Sequence, residues 1–134
     1  MPPKPLQVFA SAQDASEGTL ILSGTPVAWT ARGSAAGGLR DAYGCFVSGG
    51  SMEPVYERGN LLLIDPTATP RAGEDCLFLR DAQDSTRRAQ IGRLVERTAE
   101  GWTIEQFNPP RTFTLKPSDR QEAHLVVGKY NRWS

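Results

Sequence analysis

Glycine and proline interrupt this chain at short intervals, 13 of one and 10 of the other in 134 residues. Glycine weakens a helix interior by its backbone freedom, and proline breaks it by removing a donor and clashing with the preceding turn. Long helices are therefore excluded, and what lies between the breaks has strand character. The candidate strands are Thr19–Ser23, Tyr43–Ser48, Leu61–Asp65, Asp75–Arg80, Arg88–Arg97, Trp102–Glu105, Thr112–Leu115 and His124–Tyr130. Leu20-Ile21-Leu22 and Leu61-Leu62-Leu63-Ile64 are continuous apolar runs, as expected of strands covered on both faces. Asp81–Ser85 reads as a hairpin loop, and Ala99-Glu100-Gly101 as a second with Gly101 at its left-handed position. Only Ser51–Arg58 can begin a short helix, with Ser51 as N-cap and Pro54 in the first turn. The pattern predicts a mainly β domain of short strands and hairpins, with at most one short helix.

The length suits one domain that buries enough surface to fold without a metal or disulfide. Residues 1–18, proline-rich and weakly patterned, read as a flexible arm, and 19–134 as the folded domain. Lys+Arg and Asp+Glu are 15 each, so no strong single-sign field exists, and direct nucleic-acid contact by this domain is not expected. The arginines Arg87, Arg88, Arg93 and Arg97 alternate with Asp84, Glu96 and Glu100, as on a solvated hairpin face. The longest apolar run, Leu61–Ile64, is too short to span a bilayer, and Met1–Pro5 has no signal-peptide core. A cytoplasmic protein without membrane contact is expected. Cys45 and Cys76 lack a metal-ligand spacing and read as buried free thiols, with a disulfide left open by counting alone. No cofactor and no metal site is expected.

The most specific segment is Phe46-Val47-Ser48-Gly49-Gly50-Ser51-Met52-Glu53-Pro54. A strand ends in two glycines that permit close backbone approach, and a turn opens on a serine. A nucleophile suits such a place, because the amides that follow can meet an oxyanion; Met52 is the candidate donor. Ser51 as a plain N-cap fits equally well.

This block, with Gly59-Asn60-Leu61-Leu62-Leu63-Ile64-Asp65 after it and Glu105-Gln106-Phe107-Asn108-Pro109 further on, resembles the C-terminal domain of the LexA-like proteins: LexA, phage CI-type repressors and UmuD. The resemblance runs from Val8 to the Val126-Val127-Gly128 strand and is nearest to phage-type repressors. It implies an all-β fold, a self-cleaving serine peptidase with a Ser/Lys dyad, a homodimer, a helix-turn-helix preceding the domain, and control by a RecA-like regulator or an antirepressor. Ser51 matches the nucleophile. The base of the family lies in a Val-Lys-Arg-Leu type segment, matched here by Ile91-Gly92-Arg93-Leu94. Gly92 stands where the lysine belongs, and glycine takes no proton.

A guanidinium does not replace it, since arginine stays protonated in proteins. The three lysines, Lys4, Lys116 and Lys129, match no family position, and His124 reads as an ordinary strand histidine. The window for the scissile bond, about Phe9–Glu17, holds Ala10-Ser11, Ala12-Gln13 and Ala15-Ser16 but no Ala-Gly. Gly50 also departs from the polar residue many relatives carry before the serine. The expectation is a repressor dimerisation domain whose self-cleavage is lost, with a free space beside Ser51 where the lysine would lie. The alternative is a working peptidase with a displaced base. Val126–Trp133 is the candidate dimer strand, and Trp29 a candidate cover for the Ser51 cleft.

Overall fold

A computed structural model describes residues 6–13, 19–23, 26–30, 41–79, 87–116 and 122–130. Among them are eleven strands and no helix. They are β1 (Leu6–Phe9), β2 (Ser11–Gln13), β3 (Leu20–Leu22), β4 (Ala28–Thr30), β5 (Tyr43–Phe46) and β6 (Leu61–Asp65). Then follow β7 (Asp75–Leu79), β8 (Arg87–Thr98), β9 (Gly101–Phe107), β10 (Pro110–Leu115) and β11 (Glu122–Tyr130). The sheet runs β10-β9-β8-β7-β11-β6-β5-β1-β4, with β3 joining β8 and carrying β2. Every pair is antiparallel except β1 with β5. The mainly β expectation therefore holds.

The continuous apolar strands have the predicted cause. Successive side chains of β7 enter two different cores: Leu77 and Leu79 pack in a first core with Met52, Leu62, Ile64 and Ile91, and Cys76 and Phe78 in a second with Leu94, Ile104 and Leu115. All five residues of β6 are buried. Cys45 and Cys76 are free thiols, and burial pushes both up to about 12, so neither is a reactive thiolate. Trp102 packs on Phe78 at the second core.

Three differences from the sequence reading have physical causes. First, the described part of the arm is paired strand: Leu6 and Val8 point inward at 2% and 0% exposure, and β1 lies between β4 and β5. The inward pair is present in the sequence but hidden among the neighbouring prolines. Second, β4 lies at the sheet edge, where Trp29 stands 55% exposed opposite Gln7. Third, Ser51–Arg58 forms turns. Pro54 has no N–H to give the Gly50 carbonyl, which accepts instead from Glu53 N (3.1 Å) and Asn108 Nδ2 (3.2 Å). Gly101 has φ +128°, as the predicted hairpin requires. The predicted loop at Asp81–Ser85, Lys4 and Trp133 lie outside the described residues. The strands flanking 81–85 do pair antiparallel, Leu79 with Ala89.

Candidate functional site

Ser51 follows the end of β5 and is held from both sides. Its carbonyl accepts from Phe107 N and Asn108 N, each at 2.9 Å, and Asn108 Nδ2 holds the carbonyl of Gly50. The β9–β10 turn thus grips two successive peptides. Gln106 anchors that turn: it is 1% exposed, gives Nε2 to the Ile91 carbonyl (3.0 Å) and accepts Arg111 Nε (2.8 Å). Met52, 1% exposed, fixes the other end in the first core, and its carbonyl accepts Tyr56 N at 3.0 Å. Among the described residues nothing accepts the Met52 N–H, and nothing hydrogen-bonds the Ser51 hydroxyl.

The far end of the loop is pinned to β7 and β8. Tyr56 donates its hydroxyl to Asp75 Oδ2 (2.7 Å), while Arg93 Nε donates to Asp75 Oδ1 (2.9 Å). The Arg93 guanidinium lies 4.9 Å from the Phe107 ring centroid. Burial and the Asp75 carboxylate both hold the Tyr56 hydroxyl well above its ordinary range, so it stays protonated. The Asp75 hydrogen bond likewise raises Arg93. From β11, Lys129 Nζ reaches the Val55 carbonyl at 3.0 Å and lies 6.0 Å from the Tyr56 ring centre. The one described lysine that approaches this loop therefore contacts its carbonyl backbone. Lys116 is exposed after β10.

Gly50 and Gly92 differ in what surrounds them. A Cβ at Gly50 would lie 2.7 Å from Glu53 Oε1, the movable end of a long side chain. A Cβ at Gly92 would lie 2.1 Å from Ile104 Cγ2 and 3.2 Å from the Glu105 carbonyl. Strand alternation explains this: Ile91 packs in the first core with Met52, so the next residue turns to the second core, where Ile104 is 0% exposed. The free space expected in place of the lysine is absent; Ile104 fills it.

The segment in which the sequence resemblance would put a scissile bond begins beside this loop. β1 runs parallel to β5 (Val8 with Gly44, Phe9 with Cys45), so Ala10 and Ser11 follow β5 toward Ser51. Ser11 Oγ donates to the Phe46 carbonyl and meets Ser48 Oγ at 2.9 Å. The model of the Peptidase S24-like family matches residues 17–129.

The chain belongs to the Peptidase S24-like family. It is also 25% identical over 133 residues to "Repressor protein C" of Rhizobium phage 16-3, covering 95% of this chain and 51% of that protein. The chain spans about half the length of the curated relative it matches. An S24-like domain of LexA/CI repressor type accounts for the Ser51 loop and for a β fold without long helices. Sequence reasoning on this domain named Ser51, Met52 and Gly92. It missed the residues that hold them: Asn108 and Gln106, Asp75, Tyr56 and Ile104. The only signal for the first two was the Gln-Phe-Asn-Pro string, which carried the resemblance but not its role.

His124, the single histidine, lies away from Ser51 in the described contacts. Its Nε2–H donates to Glu122 Oε2 (2.9 Å), because an ionised carboxylate only accepts, and Nδ1 then takes the Tyr43 hydroxyl at 2.6 Å. Glu122 also meets Arg87 at 3.3 Å. Burial holds His124 below its ordinary pKa and Tyr43 above its own.

Proposed function

We propose that this domain is the dimerisation and regulatory module of a phage-type repressor and does not cut itself. The observation that carries the reading is a serine held in the family's turn with no described group placed to take its proton. At the family's base position stands Gly92, with Ile104 packed into the side-chain space. A serine hydroxyl is a weak nucleophile without a base. Removing one member of such a catalytic set lowers the rate by several orders of magnitude. Ser51 in that case orders the turn, and the Met52 amide is a relic of an oxyanion site.

In this reading a helix-turn-helix in the remainder of a longer protein contacts the operator, and pairing of two S24-like domains sets the half-site spacing and raises affinity through effective concentration. Val127 (39% exposed) and Tyr130 (37% exposed) on β11 supply an apolar surface for pairing. Release from DNA then needs an antirepressor, a ligand or another partner in place of self-cleavage.

One observation favours a second reading. Lys129 touches the loop that carries Ser51, through the Val55 carbonyl. A shift of that lysine toward the serine would make it a displaced base. Intact mass after incubation from neutral to strongly alkaline pH, with Ser51→Ala and Lys129→Met alongside, separates the two. The proposal expects constant mass in all three, with a dimer in sedimentation velocity that Ser51→Ala leaves unchanged. Loss of a fragment of about 1–2 kDa from the arm, abolished by either substitution, establishes self-cleavage and ends the proposal.

A further inference from the structure

On the face of the sheet away from Met52, at the mouth of the second core, lies a cleft of about 640 Å³. That volume falls in the range of small-molecule sites. Its floor is Leu94, Trp102 and Ala123 at the second core, and its wall is the turn Pro66–Pro70 after β6. Glu122 and His124 border it only as the flanks of Ala123 on β11. Their register partners, Leu79 and Leu77, belong to the first core, whereas Ala123 pairs with Phe78 of the second, so both side chains turn away from the cleft. We propose that this cleft binds a small aromatic carboxylate, a flat ring carrying one anionic group.

The apolar floor takes the ring, and the uncommitted donors beside it decide the charge. Arg97 lies directly opposite Trp102 in the β8–β9 pair, and its guanidinium stands 5.7 Å from the centre of the indole. Among the described residues no oxygen accepts from that guanidinium. The Pro66–Pro70 turn adds backbone donors. The Thr67 N–H is spent on Asp65 (3.0 Å), but those of Ala68 and Thr69 have no acceptor among the described residues. The one remaining carboxylate of the lining, Asp41, precedes β5, four strands from β8 in the sheet order, or roughly 19 Å along the sheet at the usual strand spacing. The end of the cleft that holds the indole is therefore rich in donors. A guanidinium meets a planar carboxylate through two parallel hydrogen bonds, which fixes the attached ring against Trp102 and Leu94. Phe78 backs the indole from the core side, ring centres 5.6 Å apart, and keeps the floor rigid. The floor also connects to the Ser51 loop: next to Leu94 on β8, Arg93 holds Asp75 and, through it, the Tyr56 hydroxyl. Use of the cleft as a control point rests on the function proposed above; binding itself does not.

The test is a titration of the ¹⁵N-labelled domain with indole-3-acetate, read by backbone amide and indole N–H shifts, against indole-3-acetamide, which keeps the ring and the shape and removes the charge. Saturable shifts at Thr67–Thr69, Leu94, Arg97 and Trp102 are expected, with Kd on the order of millimolar for so small a probe. The amide should bind about fivefold more weakly, and Arg97→Met should weaken indole-3-acetate by about the same factor while leaving the amide unchanged. Arg97 is exposed, so folding is not at stake. Absence of saturation, shifts centred on the Ser51 loop, equal affinity for the two probes, or a preference for the acid that survives Arg97→Met would each overturn the inference. Intact mass read on the same samples keeps its failure separate from failure of the proposed function: a cut chain ends that proposal, while a whole chain without binding ends only this one.

Discussion

Gly92→Ala is the sharpest test of how tightly the second core closes around Gly92. By strand propensity alone the change should help, since glycine in a strand interior costs about 0.5–1 kcal/mol relative to alanine. The structure predicts the opposite. The new methyl would sit 2.1 Å from Ile104 Cγ2, a distance that real Cβ atoms do not adopt, and 3.2 Å from the Glu105 carbonyl, which is backbone. Ile104 is branched at Cβ and 0% exposed, so its Cγ2 does not swing aside as a flexible chain end would. Overpacking of this kind costs about 1–3 kcal/mol, which leaves a net loss centred on roughly 1 kcal/mol and at most about 2.5 kcal/mol. In urea the midpoint should fall by roughly 0.5–1 M at unchanged slope. The cause is isolated by a double-mutant cycle with Ile104→Ala. That substitution alone should cost about 2–5 kcal/mol through its cavity, yet in its presence Gly92→Ala should become neutral or favourable. A coupling near zero, or a wild-type midpoint kept by Gly92→Ala, would refute the reasoning. It would show that Ile104 yields easily and that a lysine fits at this position. If the reasoning holds, Gly92→Lys does not restore cleavage on its own, contrary to what the sequence match alone leads one to expect.

Asn108→Ala removes the side-chain bond to the Gly50 carbonyl and should cost about 1 kcal/mol, with faster hydrogen exchange at Glu53 and Phe107 as the local readout; equal exchange in both proteins counts against the clamp. Asp75→Asn should lower the alkaline titration midpoint of Tyr56, because the carboxylate that adds to the effect of burial loses its charge, and a spectrophotometric tyrosine titration with Tyr56→Phe as reference measures this. Acid should weaken the fold through His124. Its native pKa is depressed by burial, so the unfolded chain binds more protons below the ordinary histidine pKa of about 6.5, and stability falls with pH from there until the native pKa is passed. Glu122 adds a loss at lower pH: burial opposes its ionisation, but the hydrogen bond to His124 and the charge of Arg87 outweigh burial and keep it below the usual carboxylate range. His124→Gln should flatten the slope of Tm between pH 5 and about 6.5; an unchanged slope assigns the acid response to other groups.

Much of the fold was readable because its signals are local. β6 is an apolar run with both faces buried, and its predicted limits, Leu61–Asp65, are those observed. The remaining predicted strands end within two residues of β3, β5 and β7 through β11. The strands that escaped, β1, β2 and β4, are three or four residues long, and each is held by a distant partner rather than by its own pattern. Val8 meets Gly44 and Trp29 meets Gln7; a chain read residue by residue carries no mark of such pairings. The direction of Gly92 was hidden for a different reason. Alternation along β8 fixes which core each residue faces, but only after Ile91 and Leu94 are known to lie in different cores. The bulge between Leu94 and Glu96 then shifts the phase, so counting from the strand end misleads.

The Ser51 turn persists as structure whether or not chemistry follows. Met52 is a buried member of the first core, the Gly50 and Ser51 carbonyls are bound by the β9–β10 turn, and Tyr56 ties the loop to Asp75 and Arg93. None of these contacts uses the Ser51 hydroxyl. The motif that reveals the family is therefore fastened by backbone bonds and core packing, and its presence in a sequence reports the fold. Catalysis asks for something these contacts do not provide: a base able to take the serine proton, on the face of β8 that looks toward Met52. On that face β8 places Ala89, Ile91 and Arg93, two apolar side chains and a guanidinium already held by a carboxylate.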